Sequence, residues 1–205
     1  MERIVCLLIG YAFGSFLTAD VIARVSHHTS IFVLGDGNPG MANVGRELGR
    51  KAALICLAGD VLKTVLAILI ARLAFPQLED LAIPWAGLGA TLGHVFPFWH
   101  RFKGGKGVAT IAATIILSDS LWGCLAAVVG VAAIVISGYL SVAAVVAMAF
   151  YAIAMMCIGH PELASIADVF LVLTVYCHWS KLRGIKEGST HRAGLSVRFR
   201  RLFNR

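Results

Sequence analysis

Seven apolar stretches, at about 4–25, 52–75, 81–99, 107–118, 121–137, 139–159 and 163–180, leave little of this 205-residue chain for anything else. Most reach the ~20 residues that a helix needs to cross the hydrocarbon core of a bilayer. A hydrophobic share of 59% excludes an ordinary soluble domain. Inside lipid every backbone N–H and C=O needs a partner within the chain, and the abundance of alanine and leucine favours helices. The sequence therefore predicts an all-α polytopic membrane bundle, a single domain over 1–205 with about seven transmembrane helices. The stretch 107–118 is the short one, and read as a half-span or re-entrant helix it lowers the count. The first stretch is not expected to be a cleavable signal. Glu2 and Arg3 give its start no net positive charge, no small-x-small cleavage site stands out, and more spans follow.

Charge sets the orientation. With seven alternating spans, one side of the membrane holds Arg24, the loops 26–51 and 100–106, and the tail 181–205. That side carries 15 of the 18 lysines and arginines. The other side has only Arg3 and Arg72, beside Glu2, Glu79, Asp80, Asp119 and Glu162. The positive-inside rule puts the N-terminus outside, and the C-terminus with every glycine-rich loop in the cytoplasm. The net charge of +7 is thus a topology signal and not a nucleic-acid footprint. Arg198, Arg200, Arg201 and Arg205 suit anionic lipid headgroups. Cys6, Cys56, Cys124, Cys157 and Cys177 have no redox or ligand spacing, so neither a disulfide, a metal nor another cofactor is expected.

Three elements on the basic side carry chemistry. The run 93–110, GHVFPFWHRFKGGKGVAT, joins two apolar stretches through a glycine-and-lysine loop. Gly104, Gly105 and Gly107 let backbone N–H groups curl round an anion, and Lys103 and Lys106 supply charge. A helix starting at Val108 adds its positive dipole end. The run is not a Walker loop, because no Ser or Thr follows Lys106 and no strand precedes it. His94 reads either as a structural histidine bonded to a carbonyl or as a substrate contact. The second element, 35–46, has turn-forming Gly35, Gly37, Asn38, Pro39 and Gly40. Asn43 is expected to cap a helix that places Arg46 and Arg50 one turn apart. A plain polar turn with topological arginines is the alternative. The third element opens with His178, Trp179, Ser180 and Lys181, residues suited to proton transfer, phosphate contact or interfacial anchoring. Within the spans stand Asp20, Asp60, Lys63 and Asp168. A lone charge at mid-bilayer costs about 2.5–3.5 kcal/mol, and Asp60 and Lys63, three apart on one helix, can pair directly.

These motifs resemble those of the bacterial acyl-phosphate–glycerol-3-phosphate acyltransferases along nearly the whole chain. The family pattern G-S-x-P-x-A is met by residues 14–19 except at the proline, where Leu17 stands. Residues 35–46 follow G-S-G-N-x-G-A-T-N-V-x-R, with Asp36 for its serine and Met41-Ala42 for its Ala-Thr. The D-x-x-K pair is Asp60 and Lys63, and G-H-x-F-P followed by F-K-G-G-K-G-V-A-T is intact. The family's R-Y-x-S is Gly138, Tyr139, Leu140 and Ser141. Its last motif keeps His178 and has Trp179, Lys181 and Gly184 at its Arg, Asn and Arg positions.

The resemblance implies a multi-pass enzyme of the bacterial inner membrane with its active site facing the cytoplasm. It would transfer an acyl group from acyl phosphate to the 1-hydroxyl of glycerol 3-phosphate, with membrane lipid as its surroundings and no nucleic acid as partner. Substrate contact is implied for Asn38, Asn43, Arg46, His94, Lys103, Gly104, Gly105, Lys106, Gly107, Ser141 and Lys181. His178 or a phosphate oxygen of the substrate would take the hydroxyl proton. Asp36 and Lys181 would balance each other's charge. Two other readings stay open: a divergent relative with lost or altered catalysis, and a transporter of a phosphorylated small molecule. The one-sided loops and the lack of an internal repeat weigh against the transporter.

Overall fold

The first apolar stretch does not form one continuous helix. It divides into α1 (Glu2–Gly14) and α2 (Thr18–His27), although Leu17 stands where a proline would enforce the break. Side chains from elsewhere hold the break open. The indole N–H of Trp99 donates to the Ser15 carbonyl and the Lys63 ammonium to the Phe16 carbonyl, both at 2.7 Å. A broken helix in lipid survives only where its freed carbonyls are satisfied in this way. At the far end of α2, Asp20 is buried and accepts from Arg24, Ser30 and the Ile31 amide, which turns the chain into the first loop.

The computed structural model describes residues 1–190 and 192; the basic run 198–205 lies outside the described residues. The chain forms two compact units, Met1–Ser118 and the segment from Asp119 onward. Every regular element among the described residues is helical, as expected. Six of the described helical segments are long and apolar enough to span: Glu2–His27, Arg50–Ala74, Pro76–His100, Ser120–Ser137, Leu140–Cys157 and Pro161–Lys186.

In the first unit, α3 (Met41–Glu47) leads through Gly49 into α4 (Arg50–Ala74). The positive φ of Gly49, +88°, breaks the helix between them, so Arg46 and Arg50 do not share a helical face as the spacing had suggested. Next come α5 (Ala82–Val95) and α6 (Val108–Ser118). α1 and α5 touch backbone to backbone through two small-residue stripes. A Cβ on Gly10 or Gly14 would strike the backbone of Ala86 or Ala90, and one on Gly89 or Gly93 would strike that of Leu7 or Tyr11. The spacing of four on both helices is the close-packing pattern of membrane helix pairs.

α6 has 11 residues and rises about 16 Å, half of a ~30 Å hydrocarbon core. It lies antiparallel to α5: Thr91 meets Thr110 at 3.0 Å, and a Cβ on Gly87 would meet Thr114. The non-helical run 103–107 that precedes it folds back against His94 and Val95. The short stretch therefore covers the depth of α5 by an extended leg plus a helix.

In the second unit, α7 (Ser120–Ser137), α8 (Leu140–Cys157) and α9 (Pro161–Lys186) are joined by very short connections. Asp119 caps α7 by accepting from the Trp122 amide, and Gly138, at φ +85°, ends it. α7 buries only Gly123, Ala126 and Gly130, one narrow stripe, and leaves an apolar surface suited to lipid.

Candidate functional site

The first loop is closed by Asn43. Its side chain is fully buried, accepts from the Asp36 amide (3.1 Å) and donates to the Leu34 carbonyl (2.9 Å). Asn43 is the third residue of α3 and not its cap; Gly40 holds that place. Its amide is committed to loop shape. Gly35 and Gly37 take positive φ, +56° and +69°, and Asp36 accepts from the Asn38 amide (3.3 Å). Asp36 also pairs with Arg46, Oδ2 to Nη2 at 2.9 Å.

The second loop leaves α5 through Phe96 and Pro97, pinned to α1 by the Tyr11 hydroxyl on the Phe96 carbonyl (2.7 Å) and by Trp99. Arg101 and Phe102 then turn the chain with two successive left-handed conformations, φ +55° and +58°. Neither is glycine, so each carries local strain of roughly 1 kcal/mol. The turn is held by the amides of His100 and Phe102 on the Pro97 carbonyl and of Lys103 on the His100 carbonyl.

Gly104 and Gly105 serve close approach to α5. A Cβ on Gly104 would lie 2.7 Å from the Val95 carbonyl, and one on Gly105 would land on the His94 ring. The Gly105 amide donates to the His94 carbonyl at 2.9 Å. That N–H, expected from sequence to hold phosphate, instead ties the loop to α5. Lys103 is exposed, Lys106 is half-buried, and Gly107, at φ +74°, is buried against Thr91 and Val95.

The two loops meet. The Phe32 and His100 rings lie 5.3 Å apart, tilted by 44°, and a cavity of about 530 Å³ is lined by Phe32, Asp36, Gly37, Trp99, His100, Arg101, Lys103 and Gly104. His100 and Arg101 were not among the residues predicted for the site. The alternation of aromatic and basic residues in 98–103 is the sequence signal that could have singled them out.

Beneath the second loop lies a buried charged cluster. Lys63 meets Asp60 Oδ1 at 2.8 Å, His94 Nδ1 at 2.9 Å and the Phe16 carbonyl at 2.7 Å, and each of the three side chains is at most 5% exposed. The local Asp60–Lys63 pair expected from sequence is present and has gained two further partners.

In the second unit, His178 is 2% exposed and its Nδ1 lies 2.9 Å from the Thr174 carbonyl. A carbonyl only accepts, so Nδ1 carries the proton and Nε2 is the basic nitrogen. Ser141 is buried at the start of α8, and Lys181 is half-buried on α9. Gly184 is the departure with a visible consequence. Its carbonyl accepts the amides of Ser189 and Thr190, which fold back over the space that a side chain would fill. Asp168 is exposed on α9.

These features define a class: a polytopic helical membrane protein whose glycine-rich loops line a basic, open cavity at the ends of its spans. More particularly, the chain belongs to the glycerol-3-phosphate acyltransferase family, whose model matches residues 4–188. Glycerol-3-phosphate acyltransferase 1 of Lactobacillus johnsonii is 39% identical over 75% of this chain and 74% of its own. Glycerol-3-phosphate acyltransferase of Coxiella burnetii is 32% identical over 95% of this chain and its entire length. Among solved structures the chain is similar to PlsY (YgiH), an integral membrane glycerol 3-phosphate acyltransferase. In its glycerol 3-phosphate form the likeness has a TM-score of 0.84 at 28% identity, covering 97% of this chain and 100% of that one. The lysophosphatidic acid form gives a TM-score of 0.83.

Proposed function

We propose that this protein transfers a fatty acyl group from an acyl phosphate to the 1-hydroxyl of sn-glycerol 3-phosphate, a step of phospholipid synthesis. The observation that carries the reading is the convergence of two glycine-rich loops on one basic cavity, in a chain of this family. The hydroxyl oxygen attacks the acyl carbon, the bond from that carbon to the phosphate oxygen breaks, and lysophosphatidic acid and inorganic phosphate leave. Phosphate is a good leaving group, so positioning of two anions and stabilisation of the departing charge account for most of the rate.

Arg101, Lys103 and Lys106 neutralise the departing phosphate, aided by the Gly104 and Gly107 backbone and the N-terminus of α6. Arg46 and Asn38 contact glycerol 3-phosphate. Asn43 and Gly105 act by holding the two loops in shape. From the second unit, the reading assigns proton removal to Nε2 of His178 and substrate contact to Ser141 and Lys181, on the strength of the family motifs. The loops face the cytoplasm of a bacterial cell, with the N-terminus outside, as the charge asymmetry supports.

The donor is tested by incubating purified protein in lipid with glycerol 3-phosphate and either an acyl phosphate or an acyl thioester. Lysophosphatidic acid formed from the acyl phosphate alone supports the proposal. Product from the thioester alone, or from neither, overturns it.

A further inference from the structure

Lys63 is buried, 5% exposed, and has three close polar partners. An ammonium has three N–H donors and no acceptor. Here two of them go to the Phe16 carbonyl and to Nδ1 of His94, at 2.7 and 2.9 Å, and the ammonium forms an ion pair with Asp60 Oδ1 at 2.8 Å. Asp60 Oδ1 is 3.6 Å from that same Nδ1, too far to accept a hydrogen bond from it. Nδ1 is therefore an acceptor, and the proton of a neutral imidazole sits on Nε2. That nitrogen lies against Gly105, whose own amide is tied to the His94 carbonyl. One residue thus meets the second loop twice, through a backbone hydrogen bond and through the close approach of its ring.

We propose that Lys63 is a positioning residue for the second loop: by donating to His94 Nδ1 it holds the imidazole proton on Nε2. The ring then turns an N–H, and not a lone pair, toward the loop that receives a phosphate. The distinction has a sign. A lone pair beneath Gly104–Lys106 would repel an incoming phosphate oxygen, whereas an N–H attracts it without adding a charge that must be desolvated. His178 has the opposite arrangement, with its proton held on Nδ1 by Thr174 and its lone pair on Nε2. Two buried histidines are thereby fixed in opposite tautomers by opposite partners, one as a donor and one as a base. The inference rests on the anion-binding reading of the loop.

The test reads the tautomer directly. Protein labelled with ¹⁵N-histidine is reconstituted in bilayers, and the His94 signals are identified by their loss in His94→Gln. We expect Nδ1 unprotonated and Nε2 protonated. In Lys63→Met combined with Asp60→Asn, which leaves no unpaired charge buried, the proton spreads over both nitrogens. Inhibition of the enzyme by inorganic phosphate then weakens about tenfold, the loss of one hydrogen bond to an anion.

His94→Gln, whose amide N–H reaches the Nε2 position, retains phosphate inhibition, and His94→Asn, which reaches only the Nδ1 position, loses it. A protonated Nδ1 in the parent protein, an unchanged tautomer in the Lys63/Asp60 variant, or equal behaviour of the Gln and Asn variants overturns the proposal. Phosphate binding in these proteins is also measured by its effect on the thermal midpoint. Absence of acyl transfer in the parent protein would therefore defeat the functional reading alone, and the tautomer result would stand separately.

Discussion

Gly105→Ala is the substitution whose consequence the structure fixes most closely. The added methyl would land on His94 Nε2, with ring carbons Cδ2 and Cε1 at 2.9 and 3.0 Å. The ring cannot swing aside, because Nδ1 is held by Lys63 at 2.9 Å inside a buried cluster. The loop must move instead, and the bond from the Gly105 amide to the His94 carbonyl, 2.9 Å, opens with it. Overpacking of this kind costs about 1–3 kcal/mol and the lost hydrogen bond about 1 kcal/mol more, so folding stability should fall by roughly 2–4 kcal/mol. A loop displaced by ~1 Å from a reacting phosphate loses about 10²-fold in kcat/KM. Both quantities are measured on protein in lipid, by thermal unfolding and by lysophosphatidic acid formation. Gly45→Ala serves as the control, since its methyl meets only the Ala53 methyl, at 3.3 Å. Parental stability and turnover in Gly105→Ala would refute the argument that this ring fixes the loop.

Other outcomes follow from the same geometry. Lys106→Ala should reduce turnover at least tenfold with the fold retained, since a donor at a developing anion is worth ~2.7–4 kcal/mol; near-parental kcat would assign the lysine to topology alone. Asp36→Ser removes a carboxylate from the cavity wall and releases Arg46, whose side chain is 55% exposed. Exposed pairs are worth about 0.2–1 kcal/mol, so KM for glycerol 3-phosphate should fall up to about fivefold. A rise in KM would show that Asp36 binds the substrate. Trp99→Phe leaves the Ser15 carbonyl without its donor and should cost about 1–3 kcal/mol, read as a lower thermal midpoint with the helix content unchanged. Single cysteines at 40 and 103 should resist an impermeant reagent in intact cells while one at 80 reacts, and the reverse would invert the orientation.

Much of this was legible in the sequence because it is written locally. The spans follow from runs of apolar residues, the shortness of 107–118 was visible at once, and Asp60 and Lys63 pair because three residues on a helix bring them together. The glycine spacing of four at 10 and 14 and at 89 and 93 stands in the sequence, but only the fold shows that it packs α1 on α5. What could not be read depends on residues far apart in the chain. The helix break at 15–17 persists without a proline because Trp99 and Lys63, 84 and 47 residues away from the carbonyls they cap, supply the donors. The sequence offers Gly105 as a phosphate-binding amide, and only the fold shows that the amide is already spent on α5. Asn43 likewise has the residue type of a cap, but its position inside α3 turns it back on its own loop.

The central claim is that the two loops serve chemistry on two anions. Its most direct test follows acyl phosphate and glycerol 3-phosphate together in sealed vesicles containing the purified protein, measuring phosphate release, lysophosphatidic acid and uptake of labelled glycerol 3-phosphate. The account predicts one lysophosphatidic acid for each phosphate released, both requiring glycerol 3-phosphate, with no uptake of the intact molecule. Uptake without product would identify a transporter, and neither product nor uptake a catalytically inert relative; either result would contradict the account.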